Sequence, residues 1–290
     1  MKKYLVLILT LALALSVAAC GNGGTTGGGA AGGGDSAPDT EVAEPNNGTE
    51  LGNGAEPAFT LDDLATAHIG VQNGTTGHIF ADENFPDAEV AAFPLFADAI
   101  MALLAGSLDA VIIDALPGYE FVRENAGRLV ILDGQLTAEY YGIAFQHGSH
   151  YTALFDDAIN QLRANSTFDA IYAYWIYNEP GASRYVSPEG IEHPNGTLLM
   201  GTSAGFPPFE LWEGGQIVGF DPCLAQAIGD ILGYQIEIVD MDFAAIILSV
   251  QAGSVDFGMA GMTIRDDRRE YVDFSQGYFS SGQRVIVRAP

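Results

Sequence analysis

Ala105-Gly106-Ser107-Leu108-Asp109 and Ala252-Gly253-Ser254-Val255-Asp256 are the stretches on which the fold turns. Leu95 to Ala105 precedes the first and Phe243 to Ala252 the second, both with apolar residues at helical spacing. Ala110 to Ile113 follows the first, and Val255 to Met259 overlaps the end of the second; both read as strands. Gly106 and Gly253 each suit the left-handed position that ends a helix. Helix, glycine stop and strand thus occur twice. This fits two lobes built alike, with a ligand cleft between them.

The surrounding chain alternates in the same way. In the first half, His68 to Val71, Leu129 to Leu132 and Gly142 to Phe145 read as strands. Pro117 to Asn125, Tyr151 to Ala164 and Phe168 to Tyr177 read as helices there. In the second half, Leu198 to Thr202, Gln235 to Val239 and Arg284 to Arg288 read as strands and Pro222 to Leu232 as a helix. Such alternation argues for layered α/β architecture.

Met1 to Cys20 reads as an export signal: Lys2 and Lys3 precede an apolar run from Tyr4 to Val17 that is short for a membrane span. Ser16, Val17, Ala18 and Ala19 then lead to Cys20. This resembles the bacterial lipobox, whose cysteine is acylated and becomes the new N-terminus. Residues 21–57 are almost all Gly, Ala, Ser, Thr, Asn, Asp, Glu and Pro. They bury too little apolar surface to offset their ordering entropy, so a disordered tether is expected. With Cys20 acylated, Cys223 is left as a single thiol, which makes neither an intrachain disulfide nor a zinc site.

Hydrophobic residues make up 48% of the chain, enough for a proper core, and the formal net charge is −26. That acidity repels phosphate backbones, so no nucleic-acid partner is expected. It also repels anionic lipid, so membrane attachment must be covalent or hydrophobic. His147 and His150 have no evident third ligand, and neither a metal nor a cofactor is expected.

Several residues suit a small zwitterion, which needs a fork of donors at one end and acceptors at the other, because buried charges require partners. Asn73-Gly74-Thr75-Thr76-Gly77 follows a strand and opens a helix; its N–H groups and hydroxyls either cradle an anion or make a capped turn. Thr263-Ile264-Arg265-Asp266-Asp267-Arg268-Arg269 offers guanidinium groups that fit a carboxylate bidentately, or else a solvated helix start. Asp114 ends an apolar strand, pointing either into a cleft or to the N-cap of a helix ahead of Pro117. Phe206 and Phe243 either stack on a ligand or belong to the core.

A resemblance sharpens these alternatives. Gly201-Thr202-Ser203-Ala204-Gly205-Phe206-Pro207-Pro208-Phe209-Glu210, Val218-Gly219-Phe220-Asp221, Met241-Asp242-Phe243, Ala260-Gly261-Met262-Thr263 with Arg268, and Val272-Asp273-Phe274-Ser275 occur in order. Together they resemble the first lobe of the family 3 extracellular solute-binding proteins, which serve polar amino-acid ABC importers. Val71-Gln72-Asn73-Gly74-Thr75-Thr76-Gly77, Asp109-Ala110-Val111 with Asp114, and Tyr141-Gly142-Ile143-Ala144 resemble that family's second lobe. Thr167 to Trp175 resembles its C-terminal helix.

The resemblance implies a periplasmic-binding-protein-like (type II) α/β fold of two lobes, lipid-anchored outside the cytoplasm. It implies that Arg268 grips an amino acid's α-carboxylate, helped by Thr263 and the Thr75 and Thr76 backbone. Asp114, the Gly261 carbonyl and the Thr263 hydroxyl would take the α-ammonium. Phe206 and Phe243 would sandwich the side chain, and Ser203 and Gln72 would tune specificity. Many relatives carry Asp where Ser203 stands, so a neutral amino acid is expected.

The halves stand in the reverse of the family's order, which implies a circular permutation. The expected organisation is a signal over 1–20, a tether over 21–57 and a second-lobe-like domain over 58–143. A hinge return with helices packing on the other lobe is expected over 144–180, a joining linker over 181–197 and a first-lobe-like domain over 198–290. Only one covalent hinge crossing, near Tyr141 to Phe145, is expected, and with it easy lobe opening. The alternatives are a broken tandem of two binding proteins, a sensing module without transport, and a dehydratase-type enzyme on the same fold. An enzyme is not expected. Gly201-Thr202-Ser203-Ala204-Gly205 matches G-x-S-x-G, but Pro207-Pro208 obstructs the helix that motif needs.

Overall fold

The computed structural model describes residues 59–290, so the export signal expected over 1–20, Cys20 and the tether expected over 21–57 lie outside the described residues. A 3-10 turn at Leu61–Thr66 leads into β1 (His68–Gln72), α1 (Thr76–Asn84), β2 (Glu89–Phe93), α2 (Phe96–Leu104), β3 (Ala110–Asp114), α3 (Ala115–Glu124) and β4 (Leu129–Ile131). Next come β5 (Glu139–Tyr141), β6 (Ala144–Phe145), α4 (Tyr151–Ala164) and α5 (Thr167–Trp175). The later part comprises β7 (Thr197–Thr202), β8 (Leu211–Glu213), β9 (Gln216–Val218), α6 (Phe220–Leu232), β10 (Gln235–Asp240), α7 (Ile246–Gln251) and β11 (Phe257–Gly258). It closes with α8 (Asp266–Arg269), β12 (Asp273–Phe274), β13 (Phe279–Ser281) and β14 (Gln283–Arg288).

These elements build two lobes, each around a five-stranded sheet. The early lobe has strand order β2-β1-β3-β14-β4, and the late lobe β10-β7-β11-β6-β12. In each sheet the first three strands run parallel and the fourth lies antiparallel to the third. Every residue of β3 is buried. A strand covered on both faces shows as the unbroken apolar run seen in the sequence.

The equivalence of the lobes extends to single residues. Gly70 pairs with Val111 in one sheet, and Gly201 with Gly258 in the other. The Asp109 carboxylate accepts the His68 N–H at 3.0 Å, and the Asp256 carboxylate accepts the Leu199 N–H at 2.7 Å. Gly106 and Gly253 have φ of 79° and 67°, as their helix-ending role requires. Phe96 opens α2 as Phe243 opens the 3-10 turn ahead of α7.

The chain crosses between lobes twice, which corrects the expected single crossing. It passes once through β5 into β6 and again through β13 into β14. β5 and β13 pair antiparallel, Tyr141 opposite Phe279, as a two-stranded hinge. Of the strand read over Gly142 to Phe145, only Ala144 and Phe145 are strand, as β6; Gly142 and Ile143 link it to β5 in the hinge. A Cβ on Gly142 would lie 2.7 Å from the Ile264 side chain.

The first-lobe-like domain expected over 198–290 is corrected at its end. β14 is the fourth strand of the early sheet, with Val285, Ile286 and Val287 buried between β3 and β4. Its apolar pattern announces a strand, but not the sheet it joins. β2, unread in the sequence, is an edge strand with mostly half-exposed residues. α4 and α5 pack against α6 of the late lobe. Between α5 and β7 the chain is irregular and tied to α6: Tyr185 Oη donates to Asp230 at 2.8 Å, and His193 lies 2.9 Å from the same carboxylate.

Candidate functional site

The strand ends of both lobes converge on one cleft, lined by Gln72, Thr75, Thr76 and Asp114 from the early lobe. Ser203, Phe206, Glu210, Phe243, Ala260, Gly261 and Thr263 line it from the late lobe. The room it leaves for the centre of a water is only about 10 Å³. A guest larger than water therefore enters only when the lobes part or the rings swing.

The segment after β1 supplies the α1 N-terminus. Gly74 takes φ of 75°, and Thr75 caps α1 by accepting the His78 N–H at 3.3 Å while donating to the Gln72 carbonyl at 2.8 Å. The capped turn and the cleft position thus hold together. Thr76 Oγ1 reaches across to Thr263 Oγ1 at 3.1 Å.

Arg268 lies on α8, 6% exposed, and bridges the lobes. It donates to the Thr263 carbonyl at 2.8 Å and to the Gly74 carbonyl of the other lobe at 3.0 Å. Its guanidinium lies 5.3 Å from the centre of the Phe243 ring. Burial chiefly, with Arg265 nearby, pushes its pKa down to about 10, so it stays charged at neutral pH. Arg265 instead pairs locally with Asp267 at 2.9 Å.

Asp114 sits at the junction of β3 and α3 and makes no cap bond to the helix. Its Oδ1 accepts from Tyr141 Oη at 2.5 Å and from Ser281 Oγ at 3.4 Å. Burial, and then the charge of Glu139, push its pKa up to about 7. Gly261 holds φ of 53°, and a Cβ there would lie 2.5 Å from the Phe206 ring, so only glycine fits. Its N–H donates to Asp221 at 2.8 Å. Phe206 stacks on Phe96 at 5.8 Å, and Gln72 bonds the Pro94 carbonyl at 2.8 Å and Ser203 at 3.5 Å.

Nine of the ten site residues expected from the sequence line this cleft, and Arg268 closes it from behind Thr263 and Gly74. Sequence reasoning missed Glu210, Asp221, Glu139, Tyr141 and Phe96. Glu210, 1% exposed, lines the cleft, and neither of its carboxylate oxygens has a hydrogen-bond partner. Glu139 accepts the Thr263 hydroxyl at 2.5 Å. The signal for Phe96 was available: extending the repeated stretch backwards sets it opposite Phe243.

Two equivalent α/β lobes joined by paired hinge strands thus enclose a cleft lined by an acid, Asp114, with the Arg268 guanidinium behind it. Residues 198–290 match the bacterial extracellular solute-binding proteins, family 3. That segment, about a third of the chain, is what is similar to the family. It is 42% identical over 102 residues to the arginine-binding extracellular protein ArtP of Bacillus subtilis, covering 35% of this chain and 40% of that protein. It is 37% identical over 97 residues to the arginine-binding protein ArgT of Corynebacterium glutamicum, covering 33% and 32%. The chain thus spans about two fifths or less of the length of these curated relatives. Among solved structures, the arginine-bound form of domain 1 from TmArgBP is 41% identical over 32% of this chain and 81% of that one, with a TM-score of 0.28.

Proposed function

We propose that the protein is the extracytoplasmic binding component of an ABC importer and closes its lobes over a free cationic amino acid, with arginine first among candidates. The observation that carries this is the meeting of Arg268 and Asp114, far apart in sequence and on different lobes, at one buried cleft. Arg268 takes the α-carboxylate, exchanging its bonds to backbone carbonyls for a bidentate pair. Thr263 and the Thr75 and Thr76 N–H groups assist. Asp114 and the Gly261 carbonyl take the α-ammonium. Phe206 and Phe243 flank the side chain, with Ser203 and Gln72 at its far end.

The neutral ligand expected from Ser203 becomes the second reading. Glu210 supplies a carboxylate that the sequence reading had not placed in the cleft, and its two bare oxygens suit a guanidinium or ammonium group. The arginine-binding relatives favour the same choice.

Anchoring through an acylated Cys20 after removal of residues 1–19, and a tether over 21–57, belong to this proposal. So does circular permutation, with the irregular chain of residues 178–196 joining the family's old ends. Thermal shift across the twenty amino acids tests the function. Stabilisation by arginine, lost in Arg268→Ala and Asp114→Ala, is expected. Unchanged binding in both variants would mean that the site is misplaced, and a larger shift with glutamine than with arginine would restore the neutral reading. A monomer by sizing chromatography that binds ligand would exclude a broken tandem.

A further inference from the structure

Asp114 and Glu210 line the cleft, and Glu139 and Asp221 accept from its lining residues Thr263 and Gly261; all four are more than nine-tenths buried. Among the described residues, no arginine or histidine nitrogen lies within ion-pair distance of any of them. The guanidinium at the cleft, Arg268, donates to the Thr263 and Gly74 carbonyls. The wall therefore holds more acid than cation. Glu210 Oε1, Glu210 Oε2 and Asp221 Oδ1 are buried with no donor. Both carboxyls ionised would repel one another and leave all three oxygens bare. A single proton on Glu210, donated to Asp221 Oδ1, removes the repulsion and satisfies that oxygen.

We propose, resting on the amino-acid-binding reading above, that the cleft exchanges protons for cations: a ligand's positive groups at Glu210 and Asp114 expel the protons those acids hold when it is empty. The step makes an ion pair and breaks a carboxyl O–H bond, and the proton leaves to water or buffer as the lobes part. No electrons move.

The groups facing the pair are consistent with this. Tyr278 Oη and the Gly261 N–H both donate to Asp221 Oδ2, at 2.9 and 2.8 Å. The charges of Asp114 and Asp240 act on Glu210, and both are negative. On the Asp114 side stand Tyr141, Ser281 and Glu139. Burial pushes Asp221 up to about 7. Burial, then the charge of Asp221, hold Glu210 well above the usual carboxylate range. A cationic amino acid meets both acids, whereas a neutral one brings only its ammonium to Asp114. Proton release thus becomes a measure of ligand charge.

Calorimetry of the full chain with L-arginine and L-glutamine, at pH 7 in phosphate and in Tris, counts the protons released. Arginine is expected to release about one more proton than glutamine, and its association constant to rise about tenfold or more per pH unit below pH 7. Glu210→Gln should lower the arginine count by about one. Asp221→Asn, which removes the partner carboxyl, should lower it as well and serves if the first variant does not fold. Arginine binding with no buffer dependence and a flat pH profile overturns the exchange but leaves the binding function standing. A variant that binds arginine and releases as many protons as the parent overturns the assignment to Glu210. Failure to bind any amino acid between pH 5 and 9 overturns both.

Discussion

Arg268→Ala removes the cleft's guanidinium, which makes one hydrogen bond within its own lobe and one to the other lobe and packs its charge over the Phe243 ring. In the liganded protein the same group faces the α-carboxylate. Truncating one partner of a buried, hydrogen-bonded charge pair costs about 2–5 kcal/mol. At about 1.4 kcal/mol per tenfold, arginine should bind roughly 30- to 4,000-fold more weakly. Arg268→Lys keeps the charge but loses the fork, so its affinity should fall between those of the parent and the alanine variant. Isothermal titration of all three forms measures the series. An alanine variant binding arginine within about threefold of the parent would refute the reasoning, because among the described residues no cationic side chain lines the cleft to replace the lost one.

The ligand-free protein should lose stability as pH rises from about 5 to 8. Asp114 and Asp221 have native pKa values raised from 3.8 to about 7. The native state therefore holds more protons than the unfolded one across that window, and stability is lost as pH climbs through the native pKa. Urea denaturation at pH 5 and pH 8 reads this, and Asp114→Asn should flatten the dependence. Tyr141→Phe removes the 2.5 Å bond to Asp114 and disfavours its ionised form. Arginine binding at pH 7 should weaken by about 1–2 kcal/mol, roughly 5- to 30-fold, and by less at pH 8.5. Gly282→Ala would drive a Cβ into the Gln135 amide and the Thr137 carbonyl beside the hinge. A loss of about 1–3 kcal/mol in chemical denaturation is expected; an unchanged midpoint would mean that the loop yields freely.

Local features of the fold were legible because short-range physics sets them. The apolar run Ala110 to Ile113 became a fully buried strand, and Tyr151 to Ala164 became α4 with the same ends. Gly106 and Gly253 took the left-handed conformation because a helix stop requires it. Pairing over long distances was not legible. Arg284 to Arg288 reads equally well as a strand of either sheet, and only its antiparallel fit between β3 and β4 decides the matter. The cleft shows the same division. Asp114, Thr75 and Thr76 could be read from strand ends and a helix start. Glu210 lies within a quoted motif, yet no local pattern reports that its carboxylate is buried without a donor. Glu139 and Thr263 meet because Thr263 bridges to Tyr141 of β5, a contact far apart in sequence.

The reciprocal crossing of β6 and β14 bears on how the chain acquires its structure. Each sheet borrows its fourth strand from the other half of the sequence, β6 in one and β14 in the other. A polypeptide ending before residue 283 would leave the flank of β3 open and β4 without a neighbour, a ready template for association between molecules. Neither half is self-sufficient. The early sheet is completed only when β14 joins it, and loss of order in one sheet propagates to its counterpart.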